Sequence, residues 1–121
     1  MLKKIAAVVL MLVLATAAYA AVNDYVQNGV SVGTSSTTYD FTTGRSFVVI
    51  RNDGSTNSVF VVWYKVGDTL PANGAVSSGG FEVKPGEPMT RETRSGYLQF
   101  SGVAVYTTAS TTTIRILAGN N

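Results

Sequence analysis

Residues 46–65 read SFVVIRNDGSTNSVFVVWYK, and this stretch decides the fold class. Two apolar runs, residues 46–51 and 58–65, flank a polar segment in which Asp53 and Gly54 tolerate a positive φ. Both runs have the β-branched and aromatic composition of strands. Because each run is continuously apolar in its middle, the pair predicts a central β-hairpin that is buried on both faces.

The rest of the chain beyond residue 21 is also rich in Val, Thr, Ser, Tyr, Phe and Gly, without sustained helical periodicity. Asn28-Gly29 predicts a turn, Gly102 predicts a β-bulge, and residues 66–80 predict a long irregular loop. Further strands are predicted over residues 22–32, 36–41, 81–84, 89–94, 97–106 and 111–117. We therefore expect an all-β fold, a single antiparallel β-sandwich or jelly-roll-like domain over residues 21–121.

The first twenty residues have the pattern of a signal peptide. Lys3 and Lys4 form a positive n-region, residues 5–15 form an apolar h-region, and Ala18-Tyr19-Ala20 predicts cleavage after Ala20. The alternative is an uncleaved helical anchor, because the run from residue 5 to 22 is nearly long enough to span a bilayer. Either way the domain is exported, to the periplasm, the extracellular space or the cell surface. Membrane contact is expected only through an uncleaved leader.

Composition excludes several function classes. Outside the leader, the 121-residue chain has seven basic and seven acidic residues, so nucleic acid is not an expected partner. The sequence has no cysteine and no histidine, which removes disulfides, the usual catalytic triads and the usual zinc ligands. We expect no enzyme, no cofactor and no metal. Asp53 and Asp68 are interpreted as turn residues, in preference to calcium ligands or a glycosidase pair.

Trp63 and Tyr64 are the candidate ligand platform. They are adjacent on a predicted strand, so their side chains point to opposite faces of a sheet. One of them would belong to the core, and the other would be free to stack against a sugar ring. The competing interpretation is that both are buried in a central strand.

Residues 79–96, GGFEVKPGEPMTRETRSG, form the most charged stretch outside the leader. Pro85-Gly86 predicts a type II turn between two short strands, and Pro88 marks an edge position. Alternating charges are typical of a solvated hairpin that protects an exposed sheet edge. The competing interpretation is a polar rim of a subunit interface. Its candidate residues are Glu82, Lys84, Glu87, Arg91, Glu92 and Arg94.

The order of motifs carries a family resemblance over residues 44–118. A strand that ends in Arg-Asn-Asp-Gly is followed by a glycine-rich loop, GGFEVKPGEPMT, an SGVAVYT strand and a final TTTIRIL strand. This order resembles small β-sandwich domains of tailed-phage structural proteins, such as head-decoration and fibre-associated domains. The resemblance implies a non-enzymatic and often oligomeric structural role. The leader departs from that pattern, since virion proteins assembled in the cytoplasm normally lack one.

Two functions follow as expectations. The first is an exported structural or interaction domain, whose partner is a second copy or another structural protein and whose setting would be virion-like. The alternative is a secreted carbohydrate-binding or adhesive module, which would bind a glycan through Trp63 or Tyr64 and the loop of residues 66–80.

Overall fold

The computed structural model describes residues 24–94 and 97–120, and the predicted leader lies outside them. The described residues form eight strands: β1 (Tyr25–Val32), β2 (Thr37–Arg45), β3 (Phe47–Asn52), β4 (Val59–Lys65), β5 (Phe81–Val83), β6 (Pro88–Glu92), β7 (Phe100–Tyr106) and β8 (Thr112–Gly119). Every regular element in these ranges is a strand, which confirms the all-β prediction. No membrane-spanning helix occurs within them.

The eight strands pair into two four-stranded antiparallel sheets. Sheet A has the strand order β1-β8-β3-β6, and sheet B has the order β2-β7-β4-β5. Consecutive strands lie in different sheets throughout, except that β5 pairs with β4. Eight strands interleaved in this way form a double-sheet jelly roll. Of the two architectures that the sequence left open, the structure therefore selects the jelly roll.

The core lies between the two sheets and follows the alternation of inward-facing side chains. Sheet A contributes branched residues from β3 and β8, and sheet B contributes valines from β4 and β7. Phe41 on β2 is the largest side chain that is fully buried. The other fully buried members of the core include Val48, Ile50, Val59, Val61, Val103, Val105, Ile114 and Ile116.

The predicted central hairpin of residues 46–65 is wrong. Both strands exist, but β3 lies in sheet A between β8 and β6, whereas β4 lies in sheet B between β7 and β5. The polar segment between them carries the chain from one sheet to the other. Burial on both faces is also incomplete, because only alternate residues of β3 are fully buried.

A buried polar side chain lies at the point where these two strands separate. Asn52, at the end of β3, is fully buried. Its Nδ2 donates to the carbonyl oxygens of Asn57 (2.8 Å) and Val83 (3.0 Å). Its Oδ1 accepts from the Gly54 amide and the Thr112 hydroxyl, both at 3.0 Å. Asn52 thereby ties the crossing segment to strands of both sheets, which a hairpin turn would not do.

The turn predicted at Asn28-Gly29 is also wrong. β1 continues through both residues, and its pairing with β8 shifts register between Gln27 and Val30. Gly29 has a φ of 63°, so the left-handed conformation that the dipeptide favours is used for a β-bulge and not for a chain reversal.

The bulge predicted at Gly102 is confirmed. Tyr64 pairs with Gly102 and Lys65 pairs with Phe100, so Ser101 is the extra residue on β7. A Cβ atom on Gly102 would lie 2.5 Å from the carbonyl oxygen of Tyr39 and 2.9 Å from Leu70. Glycine is required here because neighbouring chain segments approach the backbone closely.

The turn predicted at residues 84–87 is confirmed, but the hairpin around it is wrong. The Glu87 amide donates to the Lys84 carbonyl (3.0 Å), and Gly86 has a φ of 78°, as a type II turn requires. The two flanking strands do not pair, because β5 belongs to sheet B and β6 to sheet A. Each is an edge strand of its own sheet, which confirms the predicted edge position.

Candidate functional site

The outer face of sheet B is covered by the protein's own chain. The loop of residues 66–80 crosses it and reaches the edge strand β2. The Gly74 amide donates to the Ser36 carbonyl (2.7 Å), and the Thr38 amide donates to Oδ1 of Asn73 (2.8 Å). The loop therefore both covers a face and satisfies backbone groups at a sheet edge.

Outward-facing residues of sheet B are buried as a result. Gly102 and Ala104 of β7 point away from the core, yet both are buried. Leu70 packs over Gly102, and the Tyr106 hydroxyl donates to the Gly79 carbonyl (2.5 Å). The loop that the sequence predicts as long and irregular therefore packs against the outer face of sheet B.

The outer face of sheet A has no such cover within the described residues. Val26, Leu117 and Val49 stand side by side across β1, β8 and β3. Val26 is 49% exposed and Leu117 is 37% exposed. With Asn28, Arg51, Arg115 and Ile116 they line a shallow hollow of about 260 Å³. We refer to Val26, Val49 and Leu117 as the apolar row.

Charged residues border this row. Arg51 and Arg115 lie opposite each other on β3 and β8, an arrangement that would be repulsive alone. Asp53 lies between them: its carboxylate accepts a hydrogen bond from Nε of Arg115 (2.6 Å) and forms a salt bridge with Nε of Arg51 (3.1 Å). The Asp53 side chain therefore bridges two arginines, a role that its interpretation as a turn residue did not include. The outer face of sheet A thus combines an apolar centre with a pair of arginines at one end, whose charge Asp53 partly neutralises.

A second feature is a cleft of about 250 Å³ at the side of the sandwich where β6 faces sheet B. Its lining residues are Lys65, Arg91, Glu92, Thr93, Arg94, Tyr97 and Phe100. We call it the β6 cleft. The guanidinium carbon of Arg91 lies 4.8 Å from the Phe81 ring centroid and 5.6 Å from that of Trp63. Arg91 of sheet A therefore packs on aromatic rings of sheet B.

The structure divides the six candidate interface residues into two groups. Arg91, Glu92 and Arg94 come together at the β6 cleft. The other three lie elsewhere: Glu82 faces outward from β5, and Lys84 and Glu87 are exposed in the turn. The Glu82 carboxylate accepts a hydrogen bond from the Ser58 hydroxyl (2.7 Å). The six residues do not form one surface, and their function at an interface stays a prediction.

Trp63 and Tyr64 point to opposite faces, as the strand geometry predicts, and both are half-buried. The Trp63 ring packs against the core, with Phe100 at 5.6 Å and Arg91 at the same distance. Its indole Nε1 is buried without a hydrogen-bond partner among the described residues. A platform role for either residue stays a prediction, and acrylamide quenching of the single tryptophan's fluorescence measures the accessibility of Trp63.

Tyr39 has the one resolved pKa shift among the described groups. Burial raises the pKa of its hydroxyl above the ordinary value of 10.0, and the neighbouring Tyr25 raises it further. Both side chains pack against the core. A tyrosine with a raised pKa is neutral at physiological pH, so Tyr39 is part of the packing and offers no base.

The acidic residues occupy local structural positions. Asp68 accepts from the Lys65 amide through its carboxylate (2.8 Å) and donates its own amide to the Lys65 carbonyl (2.9 Å), which confirms its interpretation as a turn residue. Across residues 24–94 and 97–120, no three acidic side chains converge as a candidate metal site.

The sequence interpretation missed the apolar row and the β6 cleft. Leu117 carried a signal, since it follows Thr113 and Arg115 at an outward position where a polar residue was expected. The sequence carried no signal for the β6 cleft, because Lys65 is 26 residues before Arg91 and belongs to the other sheet.

No family model matches the chain, and no curated protein matches it. Among solved structures, the chain is similar to PirA, with a TM-score of 0.47 and 16% identity over 79% of this chain and 94% of that chain. It is also similar to the SPBc2 prophage-derived protein YomS, with a TM-score of 0.44 and 11% identity over 79% and 92% of the two chains. This is a weak likeness that includes one phage-derived protein, and it carries no argument about activity.

Proposed function

We propose that this chain is an exported, non-enzymatic structural domain that assembles with a second copy of itself through the outer face of sheet A. The observation that carries the proposal is the apolar row on a regular sheet face, in which Val26 and Leu117 are exposed and Val49 is half-buried. Contiguous exposed apolar residues with a polar border are typical of protein interaction surfaces.

The contrast with sheet B supports this assignment. Within residues 24–94 and 97–120, a loop covers the outer face of sheet B and no segment covers that of sheet A, although both faces carry apolar residues. A second copy that covers sheet A would remove the apolar row from water, which is favourable by roughly 25 cal/mol per Å² of apolar area. The same surface on both subunits would meet in a two-fold arrangement.

The arginine border supports a specific orientation. Asp53 neutralises one of the two positive charges of Arg51 and Arg115, and both arginines lie next to the apolar row. Two like borders repel each other when they are superimposed, so the subunits would have to be offset or rotated.

Export rests on the predicted leader, and the absence of enzymatic activity rests on the lack of histidine and cysteine in the whole sequence. The sequence resemblance to tailed-phage structural domains supports an assembling role in a virion-like setting. Intact mass of the product recovered from the envelope or medium tests export: we expect a loss equal to residues 1–20, and retention in the cytoplasm would contradict the proposal.

Light scattering after size-exclusion chromatography tests the assembly. We expect the purified protein to be a dimer or larger at micromolar concentration, and expect Val26→Lys or Leu117→Lys to shift it to monomer. Val66→Lys is the matched control, because Val66 is 43% exposed but lies outside the apolar row. A monomeric wild type, or a control that dissociates as the variants do, would contradict assembly through this face.

A further inference from the structure

The β6 cleft concentrates positive charge on a domain that is neutral overall outside the leader. Three of the seven basic residues outside the leader line it: Lys65, Arg91 and Arg94. Glu92 is the one acidic residue among its described lining residues, so the cleft has a net positive charge. The three cations form no ion pair with another described residue, unlike Arg51 and Arg115. A positive concave surface of this kind attracts anions.

Arg91 is held in position before any ligand arrives. Its guanidinium lies over the rings of Phe81 and Trp63, at 4.8 and 5.6 Å from their centroids. Cation–π packing restrains the side chain without using its N–H groups. Those groups remain able to donate to a carboxylate, for which the planar guanidinium has matching bidentate geometry.

The dimensions of the cleft limit the ligand. A volume of about 250 Å³ is at or below the small end of ligand pockets and suits a single sugar ring or a molecule of that size. Aromatic surface is present, since Tyr97 is 67% exposed and Phe100 lies deeper, 2% exposed. A ring with an apolar face and a negatively charged substituent matches both the aromatic and the cationic parts of this lining.

We infer that the β6 cleft is a binding site for an acidic monosaccharide unit, with the carboxylate bound by Arg91, Arg94 and Lys65 and the sugar ring against Tyr97. This site is separate from the apolar row. It also differs from the platform predicted at Trp63 and Tyr64, because Trp63 acts here by supporting Arg91.

Sugar binding to the protein, expressed from the full-length sequence and purified, is measured by isothermal titration calorimetry and by the fluorescence of its single tryptophan. The probes are D-glucuronate, D-galacturonate and N-acetylneuraminate, with D-glucose as the neutral comparison. We expect at least one acid to bind about tenfold more tightly than glucose, the difference that charge-assisted hydrogen bonds provide. Binding should change Trp63 emission, because Arg91 lies over its ring.

Variants identify the cleft as the site. We expect Arg94→Ala and Lys65→Ala each to weaken binding of the acid several-fold, and Lys84→Ala, an exposed cation in the 84–87 turn, to leave it unchanged. Thermal unfolding should be the same for all three. Inorganic phosphate that binds as tightly as the acids would overturn the inference, as would equal affinity for glucose, an equal effect of Lys84→Ala, or no binding of any acid. None of these outcomes bears on assembly through sheet A.

Discussion

The two outer faces of this jelly roll have opposite relations to solvent. Ala104 on sheet B points away from the core and is fully buried, whereas Leu117 on sheet A points away from the core and is 37% exposed. The difference lies in a connection, since the loop of residues 66–80 covers sheet B and the described part of the chain offers sheet A no equivalent. In this protein, therefore, the position of that loop, and not the composition of the strands, separates the covered outer face from the open one.

Placing the same charge on each face gives the largest expected difference. Ala104→Lys forces an ammonium group under the loop and should destabilise the fold by about 4 kcal/mol or prevent folding. Leu117→Lys places it in solvent and should change the unfolding free energy of the monomer by about 0.5 kcal/mol or less. Urea denaturation measures both values. Similar losses for the two variants would show that the faces are not different.

The crossing between the sheets should be nearly as sensitive. Asn52→Ala removes four hydrogen bonds around a buried side chain and leaves the Val83 carbonyl and the Gly54 amide without this partner. We expect a loss of about 3 kcal/mol in unfolding free energy. Asn57→Ala is the control in the same segment, because its side chain makes one exposed hydrogen bond to Thr111. A loss below that of the control would exclude Asn52 as the residue that fixes the crossing.

A smaller effect should follow from loosening the cover of sheet B. Asn73→Ala removes the acceptor of the Thr38 amide at the edge of β2, which should cost about 1 kcal/mol. Hydrogen exchange at Thr38 should become faster, while amides of β1 on sheet A keep their rates. Thr69→Ala, an exposed residue of the same loop, is the control. Unchanged exchange at Thr38 would mean that the loop is not held by this contact.

The smallest expected effect on stability concerns Tyr39, which packs against the core between the two sheets. Its pKa is raised in the folded state, so its contribution to stability is complete below the unfolded value of 10.0 and is lost as pH rises through the folded pKa. We expect thermal stability to fall above about pH 10, and Tyr39→Phe to reduce that fall. Below about pH 10, the thermal stabilities of the two proteins should differ only by a constant amount. A parallel pH dependence would assign the fall to other groups.

Local features were predictable from residues close in sequence. The type II turn at residues 84–87 and the bulge at Gly102 follow from the conformational preferences of Pro and Gly, and both are confirmed. The all-β class follows from composition. The two wrong turn predictions share one cause. Asn28-Gly29 and residues 52–57 have the composition of hairpin turns, but in the fold the first forms a β-bulge and the second connects the two sheets, because contacts with distant residues decide the path of the chain. The bond between Asn52 and Thr112 joins residues 60 apart, which no local pattern reveals.

The two candidate sites, the apolar row and the β6 cleft, were likewise predictable only in part from the sequence. Leu117 was visible as an apolar residue at an outward position, but whether that position is open depends on where the loop of residues 66–80 lies. Arg91 and Arg94 were prominent as charges, but their meeting with Lys65 required β4 and β6 to be brought together from different sheets. Most strands, the turn at residues 84–87 and the charge of each segment were predictable, because these depend on neighbouring residues. Which strands pair, which face is covered and which cations share a cleft became evident only in the folded structure, because those outcomes depend on contacts between distant residues.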